Sequence, residues 1–415
     1  MDSWFSTAAT LVTVTALFAW VNALFLKLPQ TIGLLIMGFC ASIVLIGFGL
    51  LFPNILLSRQ LLQGVAALDF SQTLMTSMLG FLLFAGALHV DLGELKNRGW
   101  VVGVTAVFGT MLSTFIVGVT FWLVARVLGV SVPLIWALVF GALISPTDPV
   151  AVLAMLKNAP VSRQLKTDMA GESLFNDGVG VVLFSVLLAT AAAGSLESVS
   201  AVEAAELFLV EAAGGALLGL VTGHIAYRAM RQIDDYVVEV LISLALAAGT
   251  YALAGKLGLS GPIAVVVAGL LVGNTGVAHA MSAKTREYLF AFWTLIDEML
   301  NLVLFFFIGL EVIVLRFNMG LLPLALCAIP IVILARLLSV SVAVGGLKAF
   351  AHFPRGTISF LTWGGLRGGI SIALALSLPD MPHRPLFVAA TYCVAFFTIV
   401  VQGLTFPILI KKLTA

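Results

Sequence analysis

A chain of 415 residues that is 61% hydrophobic and only 10% charged falls far short of a soluble domain, in which roughly a quarter of residues are charged. Its mean hydropathy of +1.15 excludes a soluble globular fold, whereas the net charge of +1 says little, since charge placement matters more than the sum; no nucleic-acid patch appears. No zinc spacing, phosphate loop or dinucleotide fingerprint occurs, so any uphill transport would draw on an ion gradient rather than on ATP.

Crossing a bilayer takes about 20 mostly apolar residues. Hydropathy, with glycine, proline and charge as punctuation, places thirteen such segments. In chain order they run over 6–26, 30–51, 70–89, 100–126, 132–156, 164–193, 203–230, 236–254, 260–276, 287–312, 321–346, 357–378 and 386–410. The first has no basic stretch before it and is too long for a signal-peptide core, so it reads as a retained helix. Residues 59–68 suggest a short interfacial helix. Cys40, Cys327 and Cys393 sit in apolar runs and read as small core residues, not as a disulfide framework.

An odd number of spans puts the termini on opposite sides. Fourteen of the 21 Lys and Arg residues fall in one set of loops and five in the other; Arg336 and Arg367 lie within spans. The richer side is cytoplasmic by the positive-inside rule, which places the N-terminus outside and the C-terminus inside. The acidic loop around Glu197 and Glu203 then falls outside.

A weak repeat is visible. Pro29-Gln-Thr-Ile-Gly-Leu-Leu opens the second segment and Pro262-Ile-Ala-Val-Val-Val-Ala-Gly-Leu-Leu the ninth. The chain therefore reads as a single transporter unit, with residues 6–193 and 236–410 as inverted repeats joined by the helix at 203–230. The fifth and twelfth segments are interrupted at corresponding places. Such pairs of broken helices point to a binding site near the midplane.

The fifth segment holds Ile144-Ser145-Pro146-Thr147-Asp148-Pro149-Val150. Each proline removes an N–H and crowds the carbonyl four residues back, so the helix cannot stay regular. Freed carbonyls, the Thr147 hydroxyl and the Asp148 carboxylate then offer hard oxygen ligands at membrane depth. A kink with a hydrogen-bonded aspartate is the plainer reading, yet an intramembrane carboxylate marks a functional site by default.

The sixth segment holds Gly171-Glu172-Ser173-Leu174-Phe175-Asn176-Asp177-Gly178. At about 100° per residue Ser173 and Asp177 share one face, Glu172 and Asn176 another, and the two carboxylates point about 140° apart. Asp177 with Ser173 can face the break, whereas Glu172 needs a partner of its own. Arg336, deep in the eleventh segment, is the candidate, and the pair reads more readily as structural than as a carrier of substrate. In Trp363-Gly-Gly-Leu-Arg-Gly-Gly369 the glycines mark the second break. Arg367 there either holds a positive charge near a cation site or caps the broken half-helix. Asp297, Glu298 and Glu311 read as paired or solvated at helix ends. The five histidines lack metal spacing and suggest at most a modulatory pH role.

At these motifs the chain resembles the NhaP-type sodium/proton antiporters of the monovalent cation:proton antiporter family. Gly171–Gly178 matches that family's central signature. Ser145-Pro-Thr-Asp-Pro149, Phe292-Trp-Thr-Leu-Ile-Asp297 to Gly309-Leu-Glu311, and Gly364-Gly-Leu-Arg-Gly368 match the others in order, so the resemblance spans essentially the whole chain. It implies an all-α polytopic membrane protein of the NhaA/NhaP-like fold in the cell membrane. It further implies a homodimer with interleaved dimerisation and core subdomains and an elevator-like movement of the core. Na⁺, with Li⁺ as an alternative, and H⁺ would be the cargo, without a cofactor. The position of Asp177 would exchange cation for proton, those of Asp148, Thr147 and Ser173 would help ligate the ion, that of Asn176 would steady the site, and those of Glu172 and Arg336 would form a structural ion pair. One departure is Ala85: some relatives carry a glutamate in the third helix where this chain has Phe84-Ala85-Gly86. The chain ends at Ala415 without a long cytoplasmic tail, so tail-borne regulation is not expected.

The mechanism expected is competition, with Asp177 holding either a proton or a sodium ion. Two other classes stand beside it. A channel would favour a continuous pore with a carbonyl filter, and no repeated filter sequence is present. An intramembrane aspartyl protease would use Asp148 and Asp177 as a dyad.

Overall fold

The computed structural model describes residues 4–51, 78–148, 161–192, 201–311, 320–349 and 351–414. The interfacial helix read at 59–68, the start of the third segment, and the end of the fifth with Pro149 and Val150 lie outside the described residues. So do Glu197 and Arg316.

Among the described residues the fold is helical. Ten helices are long and apolar enough to cross a membrane, and two shorter ones are equally apolar. The helices are α1 (Trp4–Val21), α2 (Gln30–Leu51), α3 (Leu79–Leu88), α4 (Leu92–Val127), α5 (Leu134–Ile144), α6 (Arg163–Ala192), α7 (Ala201–Met230), α8 (Tyr236–Lys256), α9 (Gly261–Leu271), α10 (Ala283–Leu310) and α11 (Leu322–Leu347). The chain closes with a split helix, α12 (Thr357–Trp363) and α13 (Gly369–Leu376), followed by α14 (Arg384–Phe397) and α15 (Gly403–Thr414). Each of the thirteen segments read from sequence overlaps one or two of these helices.

Local chemistry sets several ends. Asp235 caps α8 by accepting from Val237 N (2.9 Å) and Val238 N (3.4 Å). Ser260 caps α9 with Pro262 in its first turn, and Ser282 starts α10 four residues before the apolar run does. α4 begins eight residues before its apolar stretch, because Asn274 Oδ1 accepts from the Leu92 N–H at 2.7 Å. Hydropathy places the starts of α8 and α9 to within a residue but misses the polar first turns of α4 and α10. Three π turns, Asn22–Leu26, Val272–Gly276 and Thr398–Gln402, also escape it.

The packing sorts into two groups. α4, α5 and α6 pack on one another and on α11, α13 and α14. Phe121, Phe140 and Phe387 knit α4, α5 and α14 together. In the second group α3, α7, α8, α9 and α10 pack together and α2 lies along α10. A Cβ on Gly38 would come within 3.2 Å of Gly309 Cα, so those two backbones touch. The three cysteines are free; Cys40 is exposed on α2 rather than in the core. A membrane helix has a lipid-facing side, so an apolar neighbourhood in sequence does not imply an interior position.

Candidate ion-binding site

α5 ends at Ile144, and Ser145–Thr147 run on without helical structure. Asp148 then forms an isolated antiparallel bridge with Leu366, its N–H donating to the Leu366 carbonyl at 2.8 Å. Leu366 belongs to the break between α12 and α13, so the two interruptions cross. Gly368 permits the crossing: a Cβ there would lie 2.8 Å from the Asp148 carboxyl carbon.

Arg367, 1% exposed, reaches back across the break. Its guanidinium donates to the carbonyls of Ser145 and Pro146, the latter at 2.9 Å. The guanidinium thus caps the carbonyls that follow α5, on the other break, and not its own half-helix. Its own N–H is held by Thr398 Oγ1 at 3.1 Å.

The Thr147 carbonyl accepts from the Ser173 hydroxyl. That fixes the direction of the neighbouring bond: Thr147 Oγ1 donates to Ser173 Oγ at 2.9 Å. Asn176 completes the network, Nδ2 donating to Thr147 Oγ1 (2.7 Å) and Oδ1 accepting from Thr147 N (3.2 Å). The wheel had grouped Asn176 with Glu172; tertiary contact groups it with Ser173 on the broken helix. The carbonyls expected as cation ligands at residues 145–147 therefore all carry hydrogen-bond donors.

Glu172 and Arg336 form a buried fork. Arg336 Nη2 donates to Oε2 at 2.8 Å and Nη1 to Oε1; the two residues are 6% and 3% exposed, Arg336 first. Arg336 Nε also donates to the Leu361 carbonyl at 3.3 Å. The pair thereby joins α6, α11 and α12.

Asp148 and Asp177 face a cavity of about 560 Å³ between the two packing groups. No described residue donates a hydrogen bond to the Asp177 carboxylate, which is on a residue only 7% exposed. The cavity wall from the second group carries Asp297, Glu298, Asn301 and His89. Asp297 and Glu298 thus lie along the middle of α10, not at a helix end, and Asn301 Nδ2 donates to Asp297 Oδ1 at 3.0 Å. Glu311, at the end of α10, is buried. His89 Nδ1 donates to the Ala85 carbonyl at 2.7 Å, and Ala85 itself is fully buried. The sequence candidates separate accordingly. Asp148 and Asp177 line the cavity, whereas Thr147, Ser173 and Asn176 lock to one another and are absent from its described lining. Reasoning from sequence missed the α10 wall and Ser371, which also lines the cavity. The signals for that wall were an acidic pair inside an apolar run and the family signature that includes Asp297.

Crossed broken helices with intramembrane carboxylates beside a cavity define the class of secondary transporters built from inverted repeats. A family model for transmembrane sodium/hydrogen exchangers matches residues 12–412. The Na⁺/H⁺ antiporter NhaP of Pseudomonas aeruginosa is 44% identical over 412 residues, covering 98% of this chain and 96% of that protein. The Na⁺/H⁺ antiporter NhaH of Halobacillus aidingensis is 37% identical over 83% of this chain and 84% of its own length. The structure of the sodium/proton antiporter MjNhaP1 from Methanocaldococcus jannaschii at pH 8 superposes with a TM-score of 0.71 at 22% identity, covering 99% of each chain, and shares the fold. The chain belongs to the sodium/hydrogen exchanger family. It is a multi-pass membrane protein and a secondary active transporter, not a protease or other enzyme, and the ions such proteins move are substrates rather than cofactors.

Proposed function

We propose that this transporter exchanges Na⁺ for H⁺ one for one, by competition of the two ions for Asp177. The observation that carries the reading is the buried Asp177 carboxylate, unbonded among the described residues, on the wall of the cavity it shares with Asp148. A carboxylate already committed to a fixed cation could not alternate between a proton and Na⁺. An empty, charged site crosses poorly, so coupling needs no second device. Asp148 stays in one protonation state through the cycle, since two unshielded charges do not share a small site. Li⁺ is an alternative cargo of the same site.

The stoichiometry rests on Asn176 and Glu172. Asn176 is an amide and carries no charge, and Glu172 is tied to Arg336. Neither adds a second titrating group beside Asp177, so the exchange is electroneutral. The protein works as a homodimer in the cell membrane, with the N-terminus outside and the C-terminus in the cytoplasm. Its two repeats, 6–193 and 236–410, supply interleaved dimerisation and core subdomains, and the core carries the site across by an elevator-like movement.

The test imposes a potassium/valinomycin diffusion potential on proteoliposomes and follows Na⁺-dependent proton movement. Rates and end points independent of voltage are expected. A systematic shift with voltage sinks the one-for-one exchange and brings Asp148 or Glu172 back as a second proton carrier.

A further inference from the structure

Ser371 is the third residue of α13, directly after the second break. Buried hydroxyls on the helices of this protein commonly return their proton to the preceding turn. Thr105 donates to the Val101 carbonyl (2.9 Å), Thr190 to Val186 (2.8 Å) and Thr391 to Phe387 (2.7 Å). Ser371 has no preceding turn. The residues three and four before it are Gly368 and Arg367, and Gly368 is extended, with φ −102° and ψ −161°. The break therefore strips this hydroxyl of its usual acceptor.

The hydroxyl has found no other. Ser371 is 1% exposed, and its Oγ has no hydrogen-bond partner among the described residues. It lines the same cavity as Asp148 and Asp177. Packing does not call for it: Ile372, Ala373 and Leu374, which follow, are buried and apolar, and alanine would occupy nearly the same space. Leaving a buried hydroxyl unsatisfied is unfavourable, so its presence at the meeting point of the breaks calls for a ligand. Small hard cations take oxygen ligands, carboxylate and neutral together. Oxygens that share a cation need not hydrogen-bond one another, and Ser371 Oγ lines the cavity of the two carboxylates without a hydrogen bond to either.

We propose that Ser371 Oγ is a ligand of the transported Na⁺, joining the carboxylates of Asp148 and Asp177 in an oxygen set drawn from the α5 break, α6 and α13. The assignment rests on the reading of Asp177 as the ion carrier. It gives the second broken helix a direct hand on the cargo, beyond the cap that Arg367 places on the first.

The experiment measures exchange by the full chain in proteoliposomes against Na⁺ concentration, alongside the rise in melting temperature that Na⁺ produces in the purified protein. Ser371→Ala should raise the KM for Na⁺ about tenfold, the step of 1.4 kcal/mol. The change in kcat should be much smaller, and the melting shift by Na⁺ reduced. Ser371→Thr, which keeps the hydroxyl, should restore most of both. Asp177→Asn separates the two levels of the claim. Exchange surviving in Asp177→Asn removes the carrier reading and this proposal with it. If Asp177→Asn is inactive while Ser371→Ala keeps a wild-type KM and melting shift, only the Ser371 assignment falls. A Ser371→Ala protein that loses kcat and melting temperature in the absence of Na⁺, with an unchanged KM, shows a packing role and overturns the assignment as well.

Discussion

Glu172 and Asp177 stand five residues apart on α6, in the same buried stretch of the same helix, and they live in opposite chemistry. Glu172 is gripped by both arms of Arg336. Asp177 opens onto a cavity and receives no hydrogen bond from a described residue. The difference is one of direction: five residues turn a helix through about 500°, which leaves the two carboxylates about 140° apart. One helix can thus brace the fold with one acid and expose the other to ions. What separates the two carboxylates here is the partner, not the burial.

The comparison breaks most visibly at Asp177. Asp177→Asn should reduce Na⁺-driven proton flux to the background of empty liposomes, since an amide neither releases a proton nor supplies charge. Its melting temperature should stay level or rise, because a buried charge without a partner disfavours the folded state. Residual exchange in this variant would return Asp177 to the class of Glu172.

Glu172 should behave the other way, with stability as the main readout. Removing either partner of a buried pair leaves an uncompensated charge, and Glu172→Ala and Arg336→Ala should each cost about 3–5 kcal/mol. The double variant should lose less than the sum, as a double-mutant cycle in thermal or denaturant unfolding will register. Additive losses would mean that the pair contributes nothing as a pair.

Arg336→Lys sharpens the same point with a smaller effect. Lysine keeps the charge but not the planar fork, so the second arm and the Nε bond to Leu361 are lost. A loss of about 1.5–3 kcal/mol is expected, the range for hydrogen bonds to charged groups, with KM for Na⁺ unaltered. An altered KM at unchanged stability would place the pair within the transport cycle.

The amino-acid pattern reveals helices and their interruptions well, because bilayer thickness and proline geometry are local constraints. Pro146 and the glycines around Arg367 disclose both breaks without knowledge of any neighbour. It also leaves Glu172 and Arg336 as the buried charges in need of partners. What it cannot disclose is which freed groups are claimed by distant chain. The carbonyls of Ser145, Pro146 and Thr147 are satisfied by Arg367 and Ser173, and sequence separation hides that. Asp297 and Glu298 read as paired or solvated acids until the cavity between the two packing groups is seen to be lined by them. Ser371 reads as an ordinary helical serine until the residues before it are found extended.

The crossing of the two interruptions carries a consequence for direction. The Asp148 N–H bond to Leu366 and the two Arg367 bonds to Ser145 and Pro146 button one break to the other. If the proposed elevator-like movement holds, the buttoned side of the chamber, with Asp148, Asp177 and Ser371, travels as one piece past the wall that α3 and α10 supply. Under that reading the ligands that travel are the same at both faces, and a reversible exchanger with similar Na⁺ half-saturation on each side is the expected outcome. Which way sodium runs is left to the two gradients, and reversing them should reverse the flow with a similar half-saturation.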